Sequence, residues 1–138
     1  MSDLVLDASL TLQWFLEDEG DRKYSLDVLA SLSEKRALVP ILWYYEVGNG
    51  LIMAYRRKRI TLDKIDDFLN RLGALPIDAA QQTTVEILQL PAWALAHGLT
   101  NYDAAYPALA DRFSLPLATG DAALRKAAAS KGVRLVRI

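Results

Sequence analysis

The stretch Leu4-Val5-Leu6-Asp7-Ala8-Ser9 places a charge directly after a short apolar run. Leu4 to Leu6 reads as a strand buried on both faces, too short and too β-favouring to stand alone as a helix. In an open parallel sheet, ligands bind at the carboxyl ends of the strands, where Asp7 falls. Asp7 or Ser9 would serve equally well as the cap of a following helix. Which role Asp7 plays depends on the other carboxylates that reach the same place.

A chain of 138 residues suits one domain, spanning 1–138, with a core of its own. Hydrophobic residues make up 52% and charged residues 24%, which excludes a disordered or collagen-like chain. The formal net charge of −1 supplies no global field for nucleic acid, so a polyanion would need a local basic patch or a bound cation. Cysteine is absent, which removes disulfides, thiolate catalysis and cysteine zinc sites, and fits a reducing cytoplasm. The N-terminus lacks a basic region before an apolar one, so no signal peptide is expected. The longest apolar run, Leu38 to Tyr45, is far shorter than the roughly 18 residues of a membrane span.

Outward from the first strand, Leu12, Phe15 and Leu16 keep helical spacing, and the acidic stretch 17–21 reads as a solvated loop. Tyr24, Val28 and Leu32 form one stripe of a second helix, and Ala37 to Pro40 reads as a strand. Trp43, Val47, Leu51 and Ala54 predict a helix in which Glu46 is embedded among apolar neighbours, with Asn49 on its face. Gly48 and Gly50 inside that helix point to close approach by another backbone or a ligand. Arg56-Arg57-Lys58-Arg59 suits the negative end of the helix dipole, and equally suits phosphate contact.

Thr61 caps a helix through Leu72, and Leu75 to Ile77 is a third predicted strand. Pro91 divides or kinks the helical stretch 79–96. Thr100 caps a helix with Asp103 in its first turn, and Pro107 removes the amide that would bond the Asp103 carbonyl. Leu115 to Ala118 is a fourth strand, ending in Thr119-Gly120-Asp121, where Thr119 or Asp121 caps the helix to Lys131. Val133 to Ile138 alternates as a terminal edge strand.

This order defines an α/β domain with a mostly parallel sheet of about five strands. Right-handed crossovers put every strand's carboxyl end on one edge, so Asp7, Glu46, Asp103 and Asp121 can converge there. Two charges about 4 Å apart repel by about 4 kcal/mol at an effective dielectric near 20, so such a cluster needs protons or a cation. Oxygen-only ligands select a hard ion such as Mg²⁺ or Mn²⁺. A carboxylate-held ion of this kind activates water against phosphodiesters and lets an acidic site approach a polyanion.

The pieces Val5-Leu6-Asp7-Ala8-Ser9, 45–51, 99–106 and Ala118-Thr119-Gly120-Asp121 together resemble the motifs of PIN-domain ribonucleases, and most of all those of VapC-type toxins. The resemblance spans essentially the whole chain and implies a three-layer α/β/α fold. It implies that Asp7, Glu46, Asp103 and Asp121 hold Mg²⁺ or Mn²⁺, with Ser9, Asn49 and Thr119 in support. It further implies endonucleolytic RNA cleavage, a homodimer and neutralisation by a small cognate antitoxin. In-line attack by activated water would leave a 5′-phosphate. Candidate RNA contacts are Arg56, Arg57, Lys58 and Arg59, with Arg125 and Lys126 nearer the acids. Pro107 stands where the family usually has leucine or another helix former. A helix beginning at or near Asp103, with the missing bond in its first turn, would accommodate it. Capping of the first helix would fall mainly to Ser9 or the backbone neighbours of Asp7.

Rival chemistries fit less well. Haloacid-dehalogenase-like enzymes need a second acid two residues after the first, where this chain has Ser9. Neither a Gly-x-Gly-x-x-Gly nor a P-loop occurs, and the one histidine lacks a Gly-x-Ser-x-Gly partner. The alternative is a PIN-like RNA-binding or RNA-processing module without a toxin role, or a catalytically silent binding domain.

Overall fold

The structure, a computed structural model, describes residues 1–17 and 20–138. Asp18 and Glu19, within the expected acidic loop, lie outside the described residues. Strand β1 (Leu4–Leu6) is fully buried along its length. Strands β2 (Ala37–Val39), β3 (Ile77–Ala79) and β4 (Leu117–Ala118) complete a sheet of order β3-β2-β1-β4 in which every pairing is parallel. Helices α1 (Ala8–Leu12), α2 (Lys23–Ser31), α3 (Ile41–Arg56) and α4 (Leu62–Gly73) lie between the first three strands. Helices α5 (Thr84–Leu88), α6 (Leu90–His97) and α7 (Asn101–Phe113) precede β4, and α8 (Ala122–Lys131) follows it. The result is the expected three-layer α/β/α arrangement, with the sheet faces covered by crossover helices. No helix among the described residues is long and apolar enough to cross a membrane.

The expected fifth strand is reduced to a single bridge, Leu117 to Leu135. The Leu117 amide bonds the Arg134 carbonyl and the Val136 amide bonds the Leu117 carbonyl, but a two-residue β4 offers nothing further to extend the ladder. Strand β3 starts two residues later than expected. Pro76 has no amide to donate, and its carbonyl instead accepts from the Ala37 amide, so paired residues begin at Ile77. Within the 79–96 stretch helix begins only at Thr84, because Ala79 ends β3; Pro91 falls in the first turn of α6, where its missing amide is harmless, and the two helices meet at Gln89.

Helix α7 corrects the reading of Pro107. It begins at Asn101, where the Thr100 hydroxyl accepts from the Asp103 amide at 3.1 Å, and it runs unbroken past Pro107 to Phe113. The bond missing at the Asp103 carbonyl therefore falls in the second turn. Pro107 is buried with Tyr106 and Leu109, so packing of its ring offsets the lost hydrogen bond.

Helix α3 buries Trp43, Val47, Leu51 and Ala54, the stripe expected from the sequence. Its closest approach is to α1. A Cβ on Gly50 would stand 2.4 Å from Leu12 Cδ1, whereas one on Gly48 would meet nothing within 4 Å. Gly50 thus admits a side chain rather than a backbone or a ligand. Trp43 reinforces the contact by donating its Nε1 hydrogen to Thr11 Oγ1 at 3.2 Å, while that hydroxyl donates to the Asp7 carbonyl. Alanine gains up to about 1 kcal/mol over glycine in a helix interior, and overpacking costs about 1–3 kcal/mol. Gly48→Ala is therefore expected to raise the urea-unfolding midpoint, with Gly50→Ala at least about 1 kcal/mol less stable than Gly48→Ala. Equal stability of the two variants would contradict the close approach.

Candidate functional site

Strands β1 and β4 are neighbours, and their carboxyl ends bring Asp7 and Thr119 side by side. The Asp7 amide bonds the Ala118 carbonyl at 3.0 Å, which fixes the backbone where β1 ends. The Thr119 hydroxyl, fully buried, donates to Asp7 Oδ2 at 2.7 Å, and the Ser9 hydroxyl donates to the same oxygen at 2.6 Å. Asp7 also accepts from the Ser9 amide through Oδ1, so it is itself the N-cap of α1. The expectation that capping would pass to Ser9 or a neighbour is wrong. Oδ1 takes the capping bond, while Oδ2 takes the two hydroxyls.

Asp7, Glu46, Asp103 and Asp121 all line one cavity of about 170 Å³, together with Ser9 and the apolar walls of Leu12 and Leu124. Each acid comes from a separate element. Glu46 lies about one and a half turns into α3, Asp103 in the first turn of α7, and Asp121 is the N-cap of α8, accepting from the Leu124 amide at 3.0 Å. Asp7 is only 4% exposed, yet among the described residues no ion pair involves any of the four.

Burial raises the Asp7 carboxyl above its ordinary value; hydrogen bonds from Ser9 and Thr119 oppose this, and the charge of Asp121 adds to it. Burial likewise raises Glu46, with the Tyr106 hydrogen bond opposing and the charges of Asp7 and Asp103 adding. Like-charge repulsion therefore links all four acids, and no cationic side chain among the described residues lines the cavity with them.

Oxygen-only donors, a charge left uncompensated and a small polar cavity fit a hard divalent cation. Among the described residues, however, no group of three or more acidic or histidine side chains stands at the spacing that would close directly around one ion. Some carboxylates would reach such an ion through water, as Mg²⁺ sites commonly arrange.

The remaining expected site residues divide. Ser9 and Thr119 stand against Asp7, whereas Asn49 is exposed and does not line the cavity. Arg56, Arg57, Lys58 and Arg59 are exposed at the far end of α3, beginning about 15 Å along the axis from Glu46. Arg125 lines a separate, larger cavity, and Lys126 is exposed outside both.

Sequence reasoning passed over Tyr106. It is 1% exposed, and its hydroxyl donates to Glu46 Oε1. The Ala8 amide also acts on that hydroxyl, which thus joins α7, α3 and the start of α1. Burial and the Glu46 carboxylate push the phenol far above its ordinary range, so it stays a donor. Its place three residues after Asp103, on the same helix face, is the signal that could have revealed it.

A model of the PIN domain family matches residues 4–130. The chain belongs to the PIN-domain family. Within that family it is 32% identical over 131 residues to Ribonuclease VapC1 of Mycobacterium tuberculosis, covering 92% of each chain. Its fold is similar to PAE2754 from Pyrobaculum aerophilum, at TM-score 0.69 and 21% identity, covering 91% of this chain and 84% of that one. It is also similar to FitAcB from Neisseria gonorrhoeae, at TM-score 0.64 and 17% identity, covering 97% and 96%.

The raised Asp7 carboxyl has a consequence for stability. A folded-state value above the ordinary 3.8 means that the folded chain binds this proton more tightly than the unfolded chain. That contribution is complete below 3.8 and is lost as pH rises through the folded value. With chelator present, Asp7→Asn is expected to be more stable than wild type at pH 7, and the gap should close towards pH 3.8. Chemical denaturation across pH measures this; a variant less stable at pH 7 would contradict the uncompensated charge.

Proposed function

We propose that this protein is a divalent-metal-dependent endoribonuclease and the toxin of a type II toxin–antitoxin pair. One observation carries the reading: four acids from four separate elements line one cavity with no cation among them. Membership of the PIN-domain family and the likeness to a protein named Ribonuclease VapC1 support the nuclease class. Similar folds include a toxin–antitoxin complex from Klebsiella pneumoniae, TM-score 0.59, and VapBC2 from Rickettsia felis, TM-score 0.61, which support a small antitoxin as partner. A homodimer acting in the cytoplasm follows from the same family reading.

Asp7, Glu46, Asp103 and Asp121 would hold Mg²⁺ or Mn²⁺, directly or through water. The ion would supply an activated water and charge neutralisation for the departing phosphodiester oxygen. Ser9 and Thr119 hold the Asp7 carboxylate in place through Oδ2, which leaves Oδ1 facing a weaker donor, the Ser9 amide at 3.3 Å. Tyr106 occupies Glu46 Oε1 and leaves Oε2 to the cavity. Leu12 and Leu124 supply apolar parts of the cavity wall.

Cleavage of a mixed cellular RNA preparation tests the reading. Activity is expected with Mg²⁺ or Mn²⁺, none with chelator, and a loss of at least about 100-fold in Asp7→Asn and Asp103→Asn. Equal cleavage under all these conditions would refute a metal nuclease. Metal binding without cleavage of any RNA would favour a binding module.

A further inference from the structure

A second cavity is much larger than the acidic one. A groove of about 980 Å³ runs between the start of α2, the outer face of α8 and the C-terminal segment. Its charged lining is Lys35, Arg125, Arg134 and Arg137 against one acid, Asp3. Asp3 already accepts from the Arg36 amide at 2.9 Å. Lys35, Arg134 and Arg137 are exposed, and none of the four cations enters an ion pair among the described residues. In a chain of net charge −1 this is a concentrated positive surface that no carboxylate pairs with among the described residues.

Arg125 is built into place. Its Nε donates to the Thr119 carbonyl at 2.8 Å, and its guanidinium lies 4.8 Å from the Tyr24 ring centroid. Tyr24 is held in turn by donating to the Val136 carbonyl at 2.7 Å. Thr119 is also the residue whose hydroxyl grips Asp7. Two hydrogen bonds through one residue therefore join the buried acid to the first cation of the groove. Asp121 and Arg125 stand one helical turn apart at the head of α8, the first lining the acidic cavity and the second the basic groove. One turn of α8 therefore separates the acidic cavity from the groove.

We propose that this groove is the track for the phosphate backbone of the RNA strand entering the acidic cavity. Arg125 marks the junction, and Lys35, Arg134 and Arg137 contact the flanking phosphates. Such contacts carry affinity and register rather than base specificity. The proposal rests on the reading of the acidic cavity as a nuclease site. It puts the RNA path on the Arg125 side rather than at Arg56, Arg57 and Lys58.

The test compares Lys35→Ala/Arg134→Ala/Arg137→Ala with Arg56→Ala/Arg57→Ala/Lys58→Ala, each removing three exposed charges. Arg125 is left intact because it bonds Thr119. Binding of a fluorescent single-stranded oligoribonucleotide is measured by anisotropy at several KCl concentrations, in the Asp7→Asn background to prevent cleavage. Each phosphate contact on a single strand contributes about 0.7 to the slope of log affinity against log salt, so the groove variant should lose about 2 from that slope. It should also weaken binding by about tenfold or more in low salt, while the α3 variant changes far less.

In the cleavage-competent background, the groove variant should raise KM and leave kcat near wild type. Unchanged affinity and slope in the groove variant, or an equal loss in the α3 variant, overturns the proposal. So does intact RNA binding with loss of binding to an acidic protein partner, which would make the groove a protein interface. Wild type that binds RNA through the groove but cleaves none refutes the nuclease reading and leaves the track standing. Wild type that binds no RNA at the lowest salt refutes both.

Discussion

Everything around the acidic cavity depends on keeping the Asp7 carboxylate out of water without a positive partner. An unpaired buried charge is among the most costly features a fold can carry. The chain offsets part of that cost locally: two hydroxyls donate to one oxygen, and a helix amide faces the other. The repulsion from Asp121, and through Glu46 from Asp103, is left standing. Local strain of this sort persists at sites that complete themselves by binding something, and the complement proposed here is a cation.

The parallel sheet is what makes the convergence possible. All four strands point the same way, so β1 and β4 deliver Asp7 and Thr119 to adjacent positions on one edge. Helices leaving that edge carry Glu46 and Asp121 within a turn or two of it, and α7 packs on both β1 and β4 to bring Asp103 alongside. Buried Tyr106 then locks α7 to α3 through Glu46. Aligned strands alone would not fix the Glu46 side chain, since an embedded glutamate has several rotamers that reach the cavity or the solvent.

The parts legible in the sequence were those written in short-range pattern. The apolar run 4–6, the stripe Trp43, Val47, Leu51 and Ala54, and the Thr100 cap follow from spacing and side-chain chemistry, and the structure repeats them. Four acids, at strand ends, in a first turn and one and a half turns into α3, were legible once parallel order was inferred, and they line one cavity. Features decided by long-range packing were less visible. Pro107 reads as a first-turn proline of a helix starting near Asp103, yet α7 starts at Asn101 and burial of the ring keeps Pro107 further inside it. The terminal strand alternates correctly but meets a neighbour only two residues long. Asn49 shares the nominal face of Glu46, although a helix face is wider than a small cavity, and Asn49 stays exposed. Asp7 looked like either a cap or a ligand, because composition cannot show that its two oxygens are used separately.

The central claim is that the four acids form a site for one class of ion, and calorimetric titration with Mn²⁺ in the absence of RNA tests it most directly. Wild type is expected to bind Mn²⁺ saturably, with a melting temperature that rises with ion concentration, and binding should weaken as pH falls because protons compete for Asp7 and Glu46. Absence of saturable binding and of any melting shift at millimolar Mn²⁺ and neutral pH would contradict the account.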